Sequence, residues 1–342
     1  MTEPLISVRH LTRDFEITRG LSHKKIGTIR AVNDVSFSIQ RGEILGMVGE
    51  SGCGKTTAGR CVLRAIEPTA GEVWIRLVET EEAQNLLQFT PRQLQTVRKD
   101  MRLIFQDPYS SLNPRMTIKD ILSEVLVTNG LTRSKSDTYY QVATILEKVG
   151  LSEDHMSLYP HAFSGGQRQR IAIARALISK PKFIVADEPV SALDVSIQAQ
   201  ILNLLLQLKS EMNLTFLFIA HNLAVIGHAC DRIAVMYLGE IVEMADAAAV
   251  INSPCHPYSE ALISAVPEPD PRIRKKRIPL RGEIGDFLNL PSGCVFHPRC
   301  PYVLDICRTQ KPELHNINIK EDKEHWVACH FAGSLNLAGI GQ

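Results

Sequence analysis

The stretch Gly49-Glu-Ser-Gly-Cys-Gly-Lys-Thr-Thr57 decides the fold of this 342-residue chain. Its spacing is G-x-x-x-x-G-K-[ST], and it lies between a strand-like run, Glu43 to Val48, and a helix-like run, Thr56 to Ala65. Glycines allow consecutive backbone N–H groups to turn toward one anion, and a helix start adds a partial positive charge. The sequence therefore predicts a phosphate-binding loop; a chance glycine-rich loop is the alternative, against which the full spacing argues.

The residues of this loop have different expected roles in binding a nucleoside triphosphate and its metal ion. We expect Lys55 to reach the β- and γ-phosphates and the Thr56 hydroxyl to bind Mg²⁺. Cys53 is interpreted as a loop residue rather than a nucleophile. The other expected contacts with the nucleotide come from Gly49, Ser51, Gly52, Cys53, Gly54 and Thr57.

Strand-like and helix-like segments alternate through roughly the first 265 residues. Lys182 to Ala186 and Leu214 to Ala220 are continuous apolar runs, as expected of parallel strands that are covered on both faces. Val195 to Leu208, between them, has helical length and spacing. This pattern predicts an α/β fold with a P-loop NTPase core and a mainly parallel sheet.

A helical insertion is expected within this core at about residues 107–165. Its segments Ile118 to Val127 and Thr138 to Val149 are helix-like, and no good strand lies near them. We therefore predict one nucleotide-binding domain over residues 1–265 that contains a helical subdomain.

Two adjacent carboxylates follow a buried strand in Phe183-Ile-Val-Ala-Asp187-Glu188. The carboxyl ends of strands are where open α/β sheets bind ligands. Asp187 can hold Mg²⁺ through water, and Glu188 can orient and polarise the attacking water. An acidic pair that caps the next helix is the alternative. Beside a phosphate loop, the pair predicts hydrolysis of a nucleoside triphosphate.

The segment Phe163-Ser-Gly-Gly-Gln-Arg168, just before an amphipathic stretch, narrows the class further. With it, the chain resembles the ATP-binding subunits of ABC transporters over nearly all of residues 1–265. The family usually has Leu where this chain has Phe163, which is a conservative change. The motifs stand in family order: the phosphate loop, a Q-loop glutamine (Gln106), the signature (Ser164 to Gln167), the acidic strand, a D-loop (Ser191 to Asp194) and the switch histidine (His221).

The resemblance implies ATP and Mg²⁺ as ligands and a head-to-tail pair of such domains, with ATP between them. The signature residues would then offer a hydroxyl, backbone N–H groups and a helix N-terminus to the γ-phosphate held by the other domain. These residues are Ser164, Gly165, Gly166 and Gln167.

The resemblance also gives single residues their expected roles. Gln106 would contact Mg²⁺ or the lytic water, and His221 would contact the γ-phosphate. Asp194 belongs to the D-loop. Phe15 is the candidate for stacking on adenine, although a core aromatic at a strand end would look the same. All of these nucleotide contacts are expected from residues before 230.

Segments near the end of the chain indicate a branch of the family. Cys255-His-Pro-Tyr258 resembles the His-Pro-Tyr segment of the oligopeptide/dipeptide branch, and Gly293 to Pro301 and Trp326 to His330 resemble its C-terminal module. The resemblance implies an importer of di- or oligopeptides. Nickel, oligosaccharides, glutathione and opines are the alternative cargoes.

A linker and a small cysteine-containing module are expected over residues 266–342. The basic run Arg272 to Arg277 is interpreted as a solvated connector rather than a site for acidic headgroups or nucleic acid. Half of the eight cysteines, Cys294, Cys300, Cys307 and Cys329, lie in the module, with five, six and 21 residues between successive members. Without a C-x-x-C pair, zinc, a [4Fe–4S] cluster and reduced thiols all stay open, and the resemblance favours the cluster.

Net charge, the N-terminal residues and the length of the apolar runs indicate where in the cell the protein is expected to act. The net charge is +1, which gives no indication of nucleic-acid binding. No signal peptide is expected, and no apolar run approaches the length that spans a bilayer. The resemblance implies peripheral attachment to the cytoplasmic face of the inner membrane, with a second, related ATPase subunit, two transmembrane permease subunits and an extracytoplasmic substrate-binding protein as partners.

Two functions of other classes compete with this hypothesis. A soluble ABC protein that acts on DNA or ribosomes would generally have tandem ATPase domains or a long coiled-coil insertion, and this sequence has neither. A regulatory subunit that binds ATP without hydrolysis is disfavoured by the presence of Glu188, His221 and a full signature.

Overall fold

The computed structural model describes residues 3–19, 24–78, 82–227, 229–266, 278–280, 282, 285, 287–317 and 324–339. The predicted linker with its basic run Arg272 to Arg277 lies outside the described residues. The chain forms two compact units. The helical unit comprises residues 1–5, 39–43 and 75–217, and the phosphate-loop unit comprises residues 6–38, 44–74 and 218–342.

The strands of the described residues are β1 (Ile6–Arg19), β2 (Lys24–Ile39), β3 (Ile44–Val48), β4 (Ala70–Ile75), β5 (Gln84–Asn85), β6 (Met101–Ile104), β7 (Phe183–Asp187), β8 (Thr215–Ala220), β9 (Arg232–Tyr237), β10 (Glu240–Asp246), β11 (His315–Asn316) and β12 (His325–Val327). The helices are α1 (Lys55–Val62), α2 (Pro91–Val97), α3 (Pro108–Ser111), α4 (Ile118–Thr128), α5 (Lys135–Lys148), α6 (Gly165–Leu177), α7 (Val195–Met212), α8 (Leu223–Ile226), α9 (Ala247–Asn252), α10 (Pro257–Ser264) and α11 (Asp305–Thr309). No helix in the described ranges is long and apolar enough to cross a membrane.

Helices dominate the helical unit. β6 and β7 pair in parallel, with Met101 opposite Phe183. Every residue of β7 is buried, which explains its continuous apolar sequence. The predicted helices of the insertion are confirmed as α4 and α5. α5 begins before the predicted Thr138, because the Ser134 side chain accepts a hydrogen bond from the Asp137 N–H and caps the helix.

The phosphate-loop unit contains a mixed sheet. β9 pairs in parallel with β3 and antiparallel with β10. β12 pairs antiparallel with β10, and β11 with β12, which gives the strand order β11-β12-β10-β9-β3. The prediction of a mainly parallel sheet is therefore wrong in this unit. Only Leu238 and Gly239, both at positive φ, separate β9 from β10, and so short a turn can join only antiparallel strands.

The C-terminal segment is attached to the body of this unit by buried polar and aromatic contacts. The Glu260 carboxylate accepts hydrogen bonds from the Tyr302 hydroxyl (3.0 Å) and from the Ala338 N–H (2.9 Å). Tyr237, Tyr258 and Phe296 form a fully buried cluster with ring centroids 4.7 to 5.3 Å apart. The predicted domain boundary at residue 265 stays a prediction, and the compact units divide the chain at other places.

Candidate functional site

The phosphate loop begins where the fully buried strand β3 ends and leads directly into α1. Gly54 caps α1 at φ +108°, and no side-chain hydrogen bond caps the helix. A Cβ atom at Gly54 would collide with the Ala31 carbonyl oxygen, so only glycine fits this close approach. The other predicted phosphate contacts lie in the loop and the first turn of α1: Gly49, Ser51, Gly52, Thr56 and Thr57.

Lys55 is the first residue of α1, directly after the loop glycine Gly54, and is 4% exposed. Its ammonium donates hydrogen bonds to the carbonyl oxygens of Gly49 (2.7 Å) and Glu50 (2.9 Å). Burial raises the pKa of the Cys53 thiol, which is 1% exposed. A buried, protonated thiol fits the interpretation of Cys53 as a loop residue rather than a nucleophile.

Glu50 connects the loop to two residues that sequence reasoning gave no role. Its N–H donates to the Tyr258 hydroxyl oxygen at 2.8 Å. The guanidinium of Arg299 donates to both of its carboxylate oxygens, at 2.5 and 3.1 Å. The expectation that all nucleotide contacts come from residues before 230 stays a prediction, but residues after 230 contact the loop itself. Tyr258 and Arg299 both lie in segments with a resemblance to the peptide branch, and that was the one available signal.

The acidic pair ends β7 in the helical unit. Asp187 is 1% exposed, whereas Glu188 has φ +45°, in the left-handed region that non-glycine residues seldom adopt. The Gln106 side-chain amide donates to the Glu188 carboxylate at 2.9 Å. Two of the three predicted catalytic residues are therefore in direct contact, and one of them, Glu188, has the strained backbone that is frequent at functional sites.

The signature forms the start of α6. Ser164 and Gln167 make a reciprocal capping box, in which each side chain accepts a hydrogen bond from the backbone N–H of the other. Ser164 is exposed at this helix start. A Cβ atom at Gly166 would lie 2.7 Å from the Ile197 side chain, so glycine permits the close approach of α6 and α7. Gly165 is the first residue of α6 and directly precedes Gly166.

The D-loop aspartate lies at the start of α7, next to the signature. Asp194 accepts hydrogen bonds from the Ile197 N–H (3.0 Å) and the Ser196 hydroxyl (2.9 Å), which lower its pKa. The starts of α6 and α7 thus come together, as the contact of Gly166 with Ile197 shows. The resemblance named both motifs but did not predict this packing.

Two predicted site residues lie in the phosphate-loop unit away from the loop sequence itself. His221 directly follows β8 and is exposed. Phe15 lies within β1 rather than at its end, and the Arg13 guanidinium carbon is 4.4 Å from its ring centroid. Adenine stacking by Phe15 stays a prediction.

Four cysteines line one cavity in the C-terminal segment. They are Cys294, Cys300, Cys307 and Cys329, together with aromatic and histidine side chains. Burial, with the proximity of the other thiols, raises the pKa of Cys294 to about 11 and of Cys300 to about 12. Backbone N–H groups near the sulfur atoms oppose this shift: those of Phe296 and His297 at Cys294, of Tyr302 at Cys300 and of Phe331 at Cys329.

A second group of possible metal ligands consists of Glu243, Cys255 and His325, whose donor atoms lie within 4.8 Å of one another. The fully buried Glu243 carboxylate accepts from the backbone N–H groups of Cys255 (2.8 Å) and His256 (3.0 Å) and from His325 Nε2 (2.7 Å). Because three donors already satisfy this carboxylate, we interpret the group as an anchor between β10, β12 and the His-Pro-Tyr segment.

Comparison with known proteins defines first the class and then the branch. The family model "ABC transporter" matches residues 32–191, and "Oligopeptide/dipeptide transporter, C-terminal region" matches residues 242–307. The dimeric ADP- and phosphate-bound ATP-binding cassette MJ0796 is similar in structure, with a TM-score of 0.61 and 27% identity over 71% of this chain and 98% of that one. The chain thus contains an ABC ATPase domain, with ATP and Mg²⁺ as its ligands.

Two relatives extend the similarity over nearly the whole chain. The oligopeptide transport ATP-binding protein AppF of Bacillus subtilis is 46% identical over 96% of this chain and 98% of its own length. A putative peptide import ATP-binding protein of Brucella ovis is 48% identical with the same coverage. This chain belongs to the ATP-binding proteins of oligopeptide/dipeptide-type ABC transporters.

Proposed function

We propose that this chain is the ATP-hydrolysing subunit of an importer for di- or oligopeptides. The match to the C-terminal region of oligopeptide/dipeptide transporters supports this cargo, as do near full-length relatives named for peptide transport. Tyr258 and Arg299 lie in that matched region and contact Glu50 of the phosphate loop. The region that distinguishes the branch is thereby attached to the loop that is expected to bind ATP.

The observation that carries the catalytic proposal is the hydrogen bond between Gln106 and Glu188. It orients the carboxylate that polarises the attacking water, and it comes from the residue that precedes the helical segment 107–165. Movement of that segment would displace Gln106 and with it Glu188. Phosphoryl transfer depends mostly on positioning and charge stabilisation, so this contact can make hydrolysis sensitive to the conformation of the helical segment.

The remaining roles follow from the chemistry of each residue. Lys55 and the loop N–H groups bind the phosphates, and Thr56, Gln106 and Asp187 supply the oxygen atoms that Mg²⁺ prefers. His221 contacts the γ-phosphate.

A second, related ATPase subunit completes the site in our proposal. The exposed start of α6, beside the start of α7, is suited to receive a γ-phosphate in trans because the helix N-terminus attracts anions. The solved cassette MJ0796, which is similar to this chain, is described as dimeric. Two transmembrane permease subunits would hold the pair at the cytoplasmic face of the inner membrane, and an extracytoplasmic binding protein would deliver the peptide.

We further propose that Cys294, Cys300, Cys307 and Cys329 hold a [4Fe–4S] cluster in a module over residues 266–342, beside a nucleotide-binding domain over 1–265. A single zinc ion with Zn–S bonds of about 2.3 Å would bring its sulfur atoms to about 3.8 Å from one another. Among the described residues, no three of these sulfur atoms lie within 4.8 Å of one another. These distances between sulfur atoms and the N–H groups near the sulfurs favour the larger group, the cluster. Such a cluster would stabilise the segment rather than take part in hydrolysis.

Cargo-stimulated ATPase activity tests the proposed function. The complete transporter, with its binding protein, would be assayed in lipid nanodiscs with di- and oligopeptides, nickel, an oligosaccharide, glutathione and an opine. We expect stimulation by peptides alone. Stimulation by one of the other compounds and not by peptides would replace the cargo and leave the ATPase role intact.

A further inference from the structure

Glu50 is the position at which the cysteine-containing segment contacts the phosphate loop. Its carboxylate binds Arg299, its N–H binds Tyr258, and its carbonyl oxygen accepts a hydrogen bond from Lys55. One residue therefore links the C-terminal segment to the ammonium group that is expected to bind the phosphates. Glu50 and Arg299 are 249 residues apart in the sequence.

Arg299 is itself held in a fixed position. It lies in a short 3₁₀ turn, His297–Arg299, between two of the cavity cysteines. The His297 N–H donates to the Cys294 carbonyl oxygen (3.0 Å), and the Arg299 N–H donates to that of Phe296 (3.0 Å). The Arg299 side chain is 6% exposed, and its guanidinium binds the carboxylate with two hydrogen bonds. The Glu50 side chain is 26% exposed, so the ion pair is half-buried, and its two hydrogen bonds fix direction as well as distance, unlike a solvated surface pair.

We propose that Arg299 is a positioning residue for nucleotide binding: it holds Glu50, and through Glu50 the Lys55 ammonium, in a geometry set by the cysteine-lined turn. The inference rests on the proposed nucleotide site. Its consequence is that a change in the cysteine site, such as loss of a bound metal group, alters the affinity for ATP. Gln106 and Glu188 make their own contact in the helical unit, so the rate of bound ATP hydrolysis should change less.

Variants of the full-length chain, purified without oxygen, separate this role from a structural one. Arg299→Gln should weaken ATP binding in calorimetric titration about five- to tenfold, within the usual range of coupling between sites. Arg299→Lys, which keeps the charge and loses the two-pronged contact, should recover part of the affinity. Glu50→Gln should match Arg299→Gln, and the double variant should be no weaker. In the complete transporter, the KM for ATP should rise, whereas kcat should stay within about twofold of the value for the unaltered chain.

Two further variants serve as controls. Arg308→Gln alters an exposed arginine of the same segment and should leave ATP affinity unchanged. Lys55→Ala tests the underlying site: if it binds ATP as tightly as the unaltered chain, the proposed nucleotide site fails. Weakened binding in Lys55→Ala together with unchanged binding in Arg299→Gln would overturn the inference and leave the site intact.

The link to the cysteine site has its own test. Cys300→Ser should weaken ATP binding by the same factor as Arg299→Gln, and combining the two should add nothing further. Circular dichroism and the melting temperature would verify that each variant is folded. A folded Cys300→Ser variant with normal ATP affinity, or one whose effect multiplies with that of Arg299→Gln, would overturn the proposed link.

Discussion

Single residues carry the chemistry of this protein, and Glu188 shows how the fold places one of them. It follows a fully buried strand, has a left-handed backbone conformation and accepts a hydrogen bond from Gln106. Such a conformation costs on the order of 1–3 kcal/mol in a non-glycine residue and persists where its surroundings enforce it. The strain therefore agrees with a catalytic role for this carboxylate.

Replacement of Glu188 by Gln should preserve ATP binding and abolish most turnover. The amide keeps the shape of the side chain but loses the charge that polarises water, at a cost of about 10²-fold or more in turnover. ATPase activity of the complete transporter and the fraction of closed, ATP-bound dimer would be measured. Glu147→Gln, on the exposed surface of α5, is the matched control. Near-normal hydrolysis by Glu188→Gln would remove this residue from its assigned role.

Lys55→Ala should act at an earlier step, the binding of ATP. A charge-assisted hydrogen bond to a phosphate contributes about 1.5–3 kcal/mol, so affinity should fall by about 10- to 100-fold. Calorimetric titration of the full-length chain measures this directly. Lys119→Ala, which alters an exposed lysine of α4, should bind ATP normally. Unchanged affinity in Lys55→Ala would show that the loop does not bind the phosphates.

At the scale of elements, local chemistry predicted most boundaries. α4 begins at the predicted residue, Ile118, and α7 begins at the predicted Val195 after the Asp194 cap. α7 continues to Met212, four residues past the prediction, and stops where Asn213 adopts φ +52°. Asparagine is a frequent residue at such left-handed helix ends, so a signal for this boundary was present in the sequence.

Pairing between distant segments was beyond the reach of local patterns. β12 is three residues long and pairs with β10, whose residues precede it by about 80 positions. The contact of Arg299 with Glu50 spans a still longer separation. No periodicity or turn motif encodes either pairing. The family resemblance named these segments, but their partners depend on tertiary packing.

The anchor at Glu243 makes a prediction about elements. Glu243→Gln should lower the free energy of unfolding by about 2 kcal/mol or more, because buried N–H donors lose a charged acceptor. The urea midpoint of the phosphate-loop unit, followed by the fluorescence of its two tryptophans, Trp74 and Trp326, would report the loss. Glu313→Gln, at an exposed position, should leave the midpoint unchanged. An unaltered midpoint in Glu243→Gln would contradict the anchor.

At the scale of the whole molecule, the C-terminal segment belongs to the same compact unit as the phosphate loop. It contributes two strands to the sheet that contains β3 and a charged contact to the loop that follows β3. The peptide-type C-terminal region therefore packs directly against the loop that is expected to bind ATP. This organisation gives the cysteine site a direct route to the ATP site.

Metal analysis of anaerobically purified protein tests the proposed cluster. We expect a brown protein with about four irons per chain, and each of the four Cys→Ser variants should lose the colour. Cys61→Ser, at a buried cysteine outside the cavity, should keep it. Zinc in place of iron would leave a metal site and refute the cluster. Four thiols that react freely with an alkylating reagent in the native protein would exclude both the iron–sulfur cluster and a zinc site.

Uptake of a labelled oligopeptide by the reconstituted transporter is the decisive test of the proposed importer function. Vesicles that carry the complete complex and its binding protein would be supplied with Mg²⁺ and ATP on the side of this subunit. We expect ATP-dependent accumulation of peptide that falls by about 10²-fold or more with Glu188→Gln and persists with Glu147→Gln. Two results would contradict the proposed function. One is accumulation of peptide at the normal rate with Glu188→Gln, and the other is a complex that hydrolyses ATP but accumulates no peptide.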